Sequence, residues 1–222
     1  MQPLIVISLL SLNIGRVKAL GQHGLMSGID KRPVAGPIRV TRQGLAGDEQ
    51  GDRRHHGGPD KALLHYPAEH YEYWCRELPG KATLFVNGGF GENLSTQGLT
   101  EATVCLGDVW RLGGALLQVS QGRQPCNRLN LRFDQADIVE RVRESGRSGW
   151  YYRVLEEGVV EPGDHLVLQD RILPQWSVAH LTDTVFGRGR ERAALALLAS
   201  MSHLSVSWRE RAARRLIEAD AS

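Results

Sequence analysis

Over the first 170 residues, apolar side chains come in short runs separated by glycine-bearing turns. Such runs predict strands at residues 4–12, 38–42, 109–112, 115–120, 151–155 and 165–169. Short strands joined by tight turns predict a barrel or a sandwich. Two of the turns share a pattern. Gly107-Asp108 and Gly163-Asp164 each stand just before an apolar run. There the glycine supplies the turn and the aspartate bonds nearby backbone. Two helical stretches interrupt the strands. Pro67-Ala68-Glu69 opens the first, and Tyr71, Trp74, Cys75 and Leu78 then share one apolar face. The second spans residues 134–145, with Ile138, Val139 and Val142 inward and Gly146 as its stop. Past residue 170 the alternation ends. Three helices are predicted at 177–185, 191–201 and 205–218, the last capped by Ser205. The expected division is a mainly β domain over 1–170 and a separable three-helix module over 171–222.

Composition narrows the class. A chain of 222 residues with 41% apolar content can bury a sizeable core. Its 25 glycines exceed the usual share of about 7%, which favours turns and tight backbone approaches. A net charge of +2 argues against stable nucleic-acid binding through a broad basic surface. It leaves room for a small anion site. Residues 171–222 hold eight Arg against five acids, which reads as a solvated face or a docking surface. The three cysteines, Cys75, Cys105 and Cys126, lie far apart and form no C-x-x-C. That spacing implies neither a disulfide framework nor an iron–sulfur cluster, and a reducing cytoplasm is the expected compartment. Residues 4–12 read as a first strand and not as a signal peptide, because no basic stretch precedes them. No apolar run reaches the ~18 residues of a membrane span.

Candidate chemistry gathers in three segments. The first is Asp52-Arg53-Arg54-His55-His56-Gly57-Gly58-Pro59-Asp60-Lys61. Its glycines let backbone N–H groups converge on an anion, and its cations suit phosphate, although an ordinary solvated loop has the same composition. His55 and His56 are adjacent and point oppositely on an extended backbone, which disfavours a metal held by histidine alone. The second segment runs over residues 119–130. Cys126 lies there between Arg123 and Arg128, with Pro125 stiffening its approach. Neighbouring cations stabilise the thiolate, the form that ligates metal or attacks carbon. Cys75 and Cys105 read instead as small core residues, Cys105 in a buried strand. The third segment, Gly88-Gly89-Phe90-Gly91-Glu92-Asn93-Leu94, reads as a loop pressed against a ligand or as a plain turn. Together these residues support a reactive or metal-ligating cysteine beside an anion site on a β scaffold. A cysteine hydrolase or transferase with His56 as base stays open at this level.

In order along the chain, His56-Gly57-Gly58-Pro59-Asp60-Lys61-Ala62-Leu63, His65-Tyr66-Pro67, Phe90-Gly91-Glu92-Asn93-Leu94 and the Arg-x-Pro-Cys core Arg123–Cys126 resemble the MOSC domain of YiiM-like proteins. The tail, with Ser205-Val206-Ser207-Trp208, resembles the three-helix module that follows MOSC in that group. Gly122 departs from the pattern, which has Pro there. The resemblance implies a closed MOSC-type β-barrel with inserted helices, holding molybdenum cofactor (molybdopterin with Mo) and independent of pyridoxal phosphate. Cys126 matches the family's molybdenum ligand. Arg53, Arg54, His56, Gly57, Gly58, Lys61, Arg123 and Arg128 become candidates for the cofactor's phosphate and pterin edge, and Asn93 and Asn130 for the pterin. Asp60 becomes a candidate acid near the metal. The implied activity is reduction of small N-hydroxylated compounds, such as hydroxylaminopurine base analogues. The sequence carries no flavin or cluster motif, so an external electron-donor protein is implied. A cofactor carrier without turnover is the alternative.

Overall fold

Seven strands close on themselves: β1 (Val6–Ile14), β2 (Leu63–Pro67), β3 (Leu94–Thr96), β4 (Val109–Leu112), β5 (Ala115–Gly122), β6 (Trp150–Glu156) and β7 (His165–Asp170). The structure, a computed structural model, describes residues 4–21, 24–52, 57–187, 189 and 191–220. Around the barrel the order is β7-β4-β5-β6-β2-β3-β1, and β1 pairs back onto β7 with Val6 opposite Val167. All neighbours are antiparallel except β2 and β3, which run parallel with His65 beside Leu94. This is a closed, mixed β-barrel with helices inserted and helices following. Closure removes the unpaired edges that an open sheet would expose.

Local chemistry explains the turns. β4 and β5 are joined by Gly113-Gly114, with Gly113 at φ 50°, as a two-residue hairpin requires. Both Gly-Asp turns work as read. Asp108 Oδ2 accepts the Cys105 N–H at 2.9 Å, and Asp164 Oδ2 accepts that of Glu161 at 2.9 Å. The predicted strand at 38–42 is Ile38–Thr41. It lies outside the barrel, in a small sheet with Gly44–Leu45 and Gly158–Val160.

Two apolar clusters fill the β-rich part. Leu12, Leu63, Leu94, Trp110, Leu117, Trp150 and Leu166 pack the barrel interior. An aromatic cluster lies beside it, where α1 (Glu69–Glu77) presents Tyr71 and Trp74 to Tyr66, Phe90 and Phe133. Tyr66 and Phe90 stack at 4.4 Å. The chain then forms α2 (Arg128–Phe133) and α3 (Ile138–Ser145), which add Leu129, Ile138 and Val142 to that cluster. The helix expected from residue 134 begins at Ile138, because Asp134, at φ 46°, is the left-handed end of α2.

The tail forms α4 (Val178–Phe186), α5 (Arg192–Ser200) and α6 (Val206–Asp220). Ser205 Oγ accepts the Trp208 N–H at 3.4 Å, as a cap does. No helix among the described residues is long and apolar enough to cross a membrane. The tail is tied closely to the barrel. Leu106 N–H donates to Trp176 O at 2.8 Å, Val178 N–H to Val104 O at 2.8 Å, and Ser205 N–H to Ser120 O at 3.0 Å. Cys105 is buried as expected. It sits in no strand, however, and instead makes an isolated bridge to Ser177. Leu106 belongs to the tail's core, and Val178 to the barrel's. These contacts couple the tail to the barrel. A chain ended after Arg171 is expected to be insoluble or to lose fixed near-UV dichroism, because Leu106 loses its cover and the barrel loses Val178.

Gly122 has its own reason. A Cβ there would stand 2.7 Å from Thr182 Oγ1 and 2.9 Å from the Trp208 ring. Glycine is therefore where α4 and α6 approach the barrel. Gly122→Ala is expected to cost about 1–3 kcal/mol by overpacking, read as a lower melting temperature.

Candidate functional site

The pairing of β5 ends with Gly122 opposite Trp150, and the chain leaves the barrel as Arg123-Gln124-Pro125-Cys126. Arg123 N–H donates to Gly149 O at 3.0 Å. Gly149 N–H donates in turn to Glu101 Oε1 at 2.6 Å, and Glu101 Oε2 meets His70 Nε2 at 2.8 Å. This chain of bonds fixes the Arg123 backbone against α1. Cys126 then opens the turn into α2, its carbonyl accepting the Leu129 N–H at 2.9 Å.

Arg123 and Cys126 line a cleft of about 620 Å³, counted to its open mouth. The opposite wall is made by two loops, at residues 27–31 and 48–51. Their backbones touch at Gly28, where a Cβ would stand 2.0 Å from Glu49 O. Lys31 and Asp48 form an ion pair in the floor, with side chains 7% and 2% exposed. Asp48 also accepts Gly15 N–H at 2.8 Å and Asn93 Nδ2 at 2.9 Å.

Arg123 is the unusual group. It is 5% exposed, and Nη1 has no hydrogen-bond partner among the described residues. Burying a charge is costly unless it is paired, so a buried guanidinium nitrogen with no partner among the described residues is suited to an anion supplied from outside the chain. A guanidinium fork suits phosphate. Lys61 and Arg128 line the same cleft. Burial holds the Lys61 ammonium below its usual range, and nearby Asp60 and Asp52 oppose that shift. Arg128 reaches Asp52 at 3.7 Å. Tyr151 lines the cleft too. Desolvation pushes its phenol up, and the charges of Arg123 and Cys126 both act on it. The thiol and the cations therefore converge on one place. Among the described residues no cluster of three or more His, Cys, Asp or Glu is placed to hold a bare metal ion. One soft sulfur ligand beside a buried cation suits molybdopterin, whose dithiolene supplies other ligands and whose phosphate needs a cationic partner. The residues present fit that group.

Of the residues singled out from sequence, Lys61, Asn93, Arg123, Cys126 and Arg128 line this cleft. Three of the candidates have partners within the protein. Asp60 is held as a clamp. Its Oδ1 pairs with Arg153 at 2.8 Å, its carbonyl accepts Ser120 Oγ at 2.6 Å, and it does not line the cleft. Asn130 joins α2 to α3, donating to Ala136 O at 2.6 Å and accepting Val139 N–H at 3.0 Å. Asn93 lines the cleft, but its amide is spent on Leu64 N–H at 3.0 Å, Asn13 O at 3.2 Å and Asp48. Gly57 and Gly58 lie outside the cleft lining, where Gly58, at φ 100°, leads into the turn Pro59–Lys61. Arg53, Arg54, His55 and His56 lie outside the described residues. Lys31, Asp48 and Tyr151 were not anticipated. Their partners are distant in sequence, and none stands in a motif that suggests a ligand.

Comparison with known proteins agrees with this geometry. The family model of the MOSC domain matches residues 52–167, and that of the YiiM-like, 3-alpha helix domain matches residues 176–218. The chain is 49% identical over 158 residues to Protein YiiM of Escherichia coli (strain K12), covering 71% of this chain and 70% of that one. The crystal structure of YiiM from Geobacillus stearothermophilus superposes with a TM-score of 0.79 at 40% identity, over 96% of this chain and 100% of that one. A protein named Reductase from Gibberella moniliformis is 37% identical over 202 residues, which is 90% of this chain and 35% of that longer one. By its family match, its identity to a relative and its fold, this chain belongs to the MOSC family, among the YiiM-like proteins whose barrel is followed by three helices.

Proposed function

We propose that this protein is a molybdenum cofactor-dependent reductase of small N-hydroxylated compounds, such as hydroxylaminopurine base analogues, acting in the cytoplasm with an external electron-donor protein. The observation that carries the reading is the buried Arg123, whose Nη1 has no partner among the described residues, in the cleft that ends on Cys126. The relative named Reductase supports oxidoreductase chemistry. The overall reaction is R–NH–OH + 2 e⁻ + 2 H⁺ → R–NH₂ + H₂O, in which the N–O bond breaks and the donor protein is oxidised. When bound, the cofactor supplies the two-electron centre. The chain supplies the rest. Cys126 Sγ is the thiolate ligand. Arg123 and Arg128 neutralise the phosphate and hold the pterin. Phe90 and Gly91 wall the cleft against water. Lys61 Nζ and Tyr151 Oη are the proton-bearing groups beside Cys126, in place of Asp60. Burial makes the Lys61 ammonium a readier proton donor than a solvated lysine, with Asp60 and Asp52 opposing that shift.

The test uses protein purified from a cofactor-sufficient host, an artificial low-potential donor and 6-hydroxylaminopurine. Amine formation in proportion to molybdenum content is expected. Full molybdenum content without turnover would overturn the reductase reading and leave a carrier.

A further inference from the structure

Cys126 also ends a second cleft, which faces the C-terminal helices. Among the described residues, five cations line it (Lys61, Arg128, Arg143, Arg211 and Arg214) against one carboxylate, Asp52. Arg143 and Arg214 make no ion pair with a described residue, and Arg211 reaches Glu218 only at 3.9 Å. Arg211 and Arg214 stand three apart on α6 and so share a face. The basic excess of the tail, which composition reads as a solvated surface, is in part gathered into this cleft.

Two further features narrow the ligand. Phe186, at the end of α4, is 37% exposed and is steadied edge-on by Trp208 at 4.9 Å. It offers an aromatic face inside a charged cleft. Gln121 lines the cleft and is 2% exposed. Its Nε2 donates to Gly122 O at 3.1 Å, which leaves Oε1 a buried acceptor with no partner among the described residues. Buried acceptors are normally satisfied, so this one calls for an N–H or O–H donor from a ligand. An aromatic shelf, a waiting acceptor and a cationic rim match a flat heterocycle with an exocyclic donor and an anionic arm.

We infer that this cleft admits the substrate as a 5′-phosphorylated nucleotide. The N-hydroxylated base lies toward Phe186 and Gln121, and the phosphate toward Arg211 and Arg214. The inference rests on the reductase reading for the identity of the base. It concerns binding, however, so the two can fail separately.

The experiment is calorimetric titration of the full chain, with and without cofactor, using 6-hydroxylaminopurine riboside and its 5′-monophosphate. The monophosphate is expected to bind at least about tenfold tighter at low salt, with that advantage shrinking as salt rises. In Arg211→Ala/Arg214→Ala the affinity ratio is expected to fall to near one, and in Arg143→Ala to fall part of the way. Equal affinities in the unmodified protein would overturn the inference. So would a double variant that keeps the full ratio. A ratio of one in the unmodified protein, together with slower electron delivery from an acidic donor protein in the double variant, would overturn it and assign the cleft to that partner. Tight nucleotide binding without turnover would support the inference and defeat the reductase reading alone.

Discussion

Cys126→Ala is expected to abolish reduction of N-hydroxylated substrates while leaving stability within about 0.5 kcal/mol. Cys126 is only half-buried, in a loop, so its thiol adds little packing. It is the one cysteine that lines the cleft with Arg123 and Lys61. The pterin contacts survive the substitution, so cofactor can still bind, but the metal loses its protein ligand and its potential shifts. Cys105→Ala is expected to do the reverse. Cys105 is 4% exposed and its Sγ donates to Pro174 O at 3.5 Å, where the barrel meets the tail. Deleting it costs about 1–2 kcal/mol and leaves activity per folded chain intact. Cys75, half-buried on α1 beside Ala82 O, follows the same direction with a smaller loss. Activity per molybdenum and melting temperature, measured on all three variants, separate these cases. An active Cys126→Ala protein would remove the ligand assignment.

Arg123→Met is expected to lower cofactor affinity by roughly a hundredfold, the effect of losing a charge-assisted contact worth about 3 kcal/mol. The same change is expected to raise the melting temperature of cofactor-free protein. It replaces an unpartnered buried charge with an apolar side chain of similar length, a swap that commonly stabilises by about 1 kcal/mol or more. Opposite signs for affinity and stability distinguish a binding residue from a packing one. Lys61→Ala is expected to weaken retention less and to make its dependence on salt shallower, because a less deeply buried, more readily screened charge is removed. A variant at Arg123 that keeps its cofactor, or that loses stability in the cofactor-free form, contradicts the assigned role.

Sequence pattern reached the parts of the fold that have a local cause. β4, β5 and β7 alternate or follow a Gly-Asp turn, and the three tail helices carry a helical period with caps at Ser177 and Ser205. β2 escaped because all five of its residues are buried, which erases alternation, and β3 because it is only three residues long. α2 escaped for the same reason of length, and its end at Asp134 shifted the start of α3. At the site, the neighbourhood of Cys126, Arg123 and Arg128 in one cleft was legible because they lie within one short segment. The protein partners of Asp60, Asn93 and Asn130 were not, because a polar residue in a motif looks the same whether its atoms face a ligand or another part of the chain. Only the partners Arg153, Asp48 and Ala136, all set by tertiary folding or by the α2–α3 connection, decide the matter. Glu92 makes the same point. Set in a glycine-rich motif, it is fully buried and accepts from Gly88 N–H at 2.5 Å, Phe90 N–H at 3.1 Å, Ser95 Oγ at 2.9 Å and the Tyr71 hydroxyl. It holds its loop and offers nothing to a ligand.

The most direct test of the central claim is the molybdenum and pterin content per chain of protein purified under reducing conditions from a cofactor-sufficient host, measured beside Arg123→Met. Near-equimolar molybdenum and pterin in the unmodified protein, lost in the variant, is the predicted result. Folded, unmodified protein that carries neither, and takes up neither when the cofactor is supplied, would contradict it.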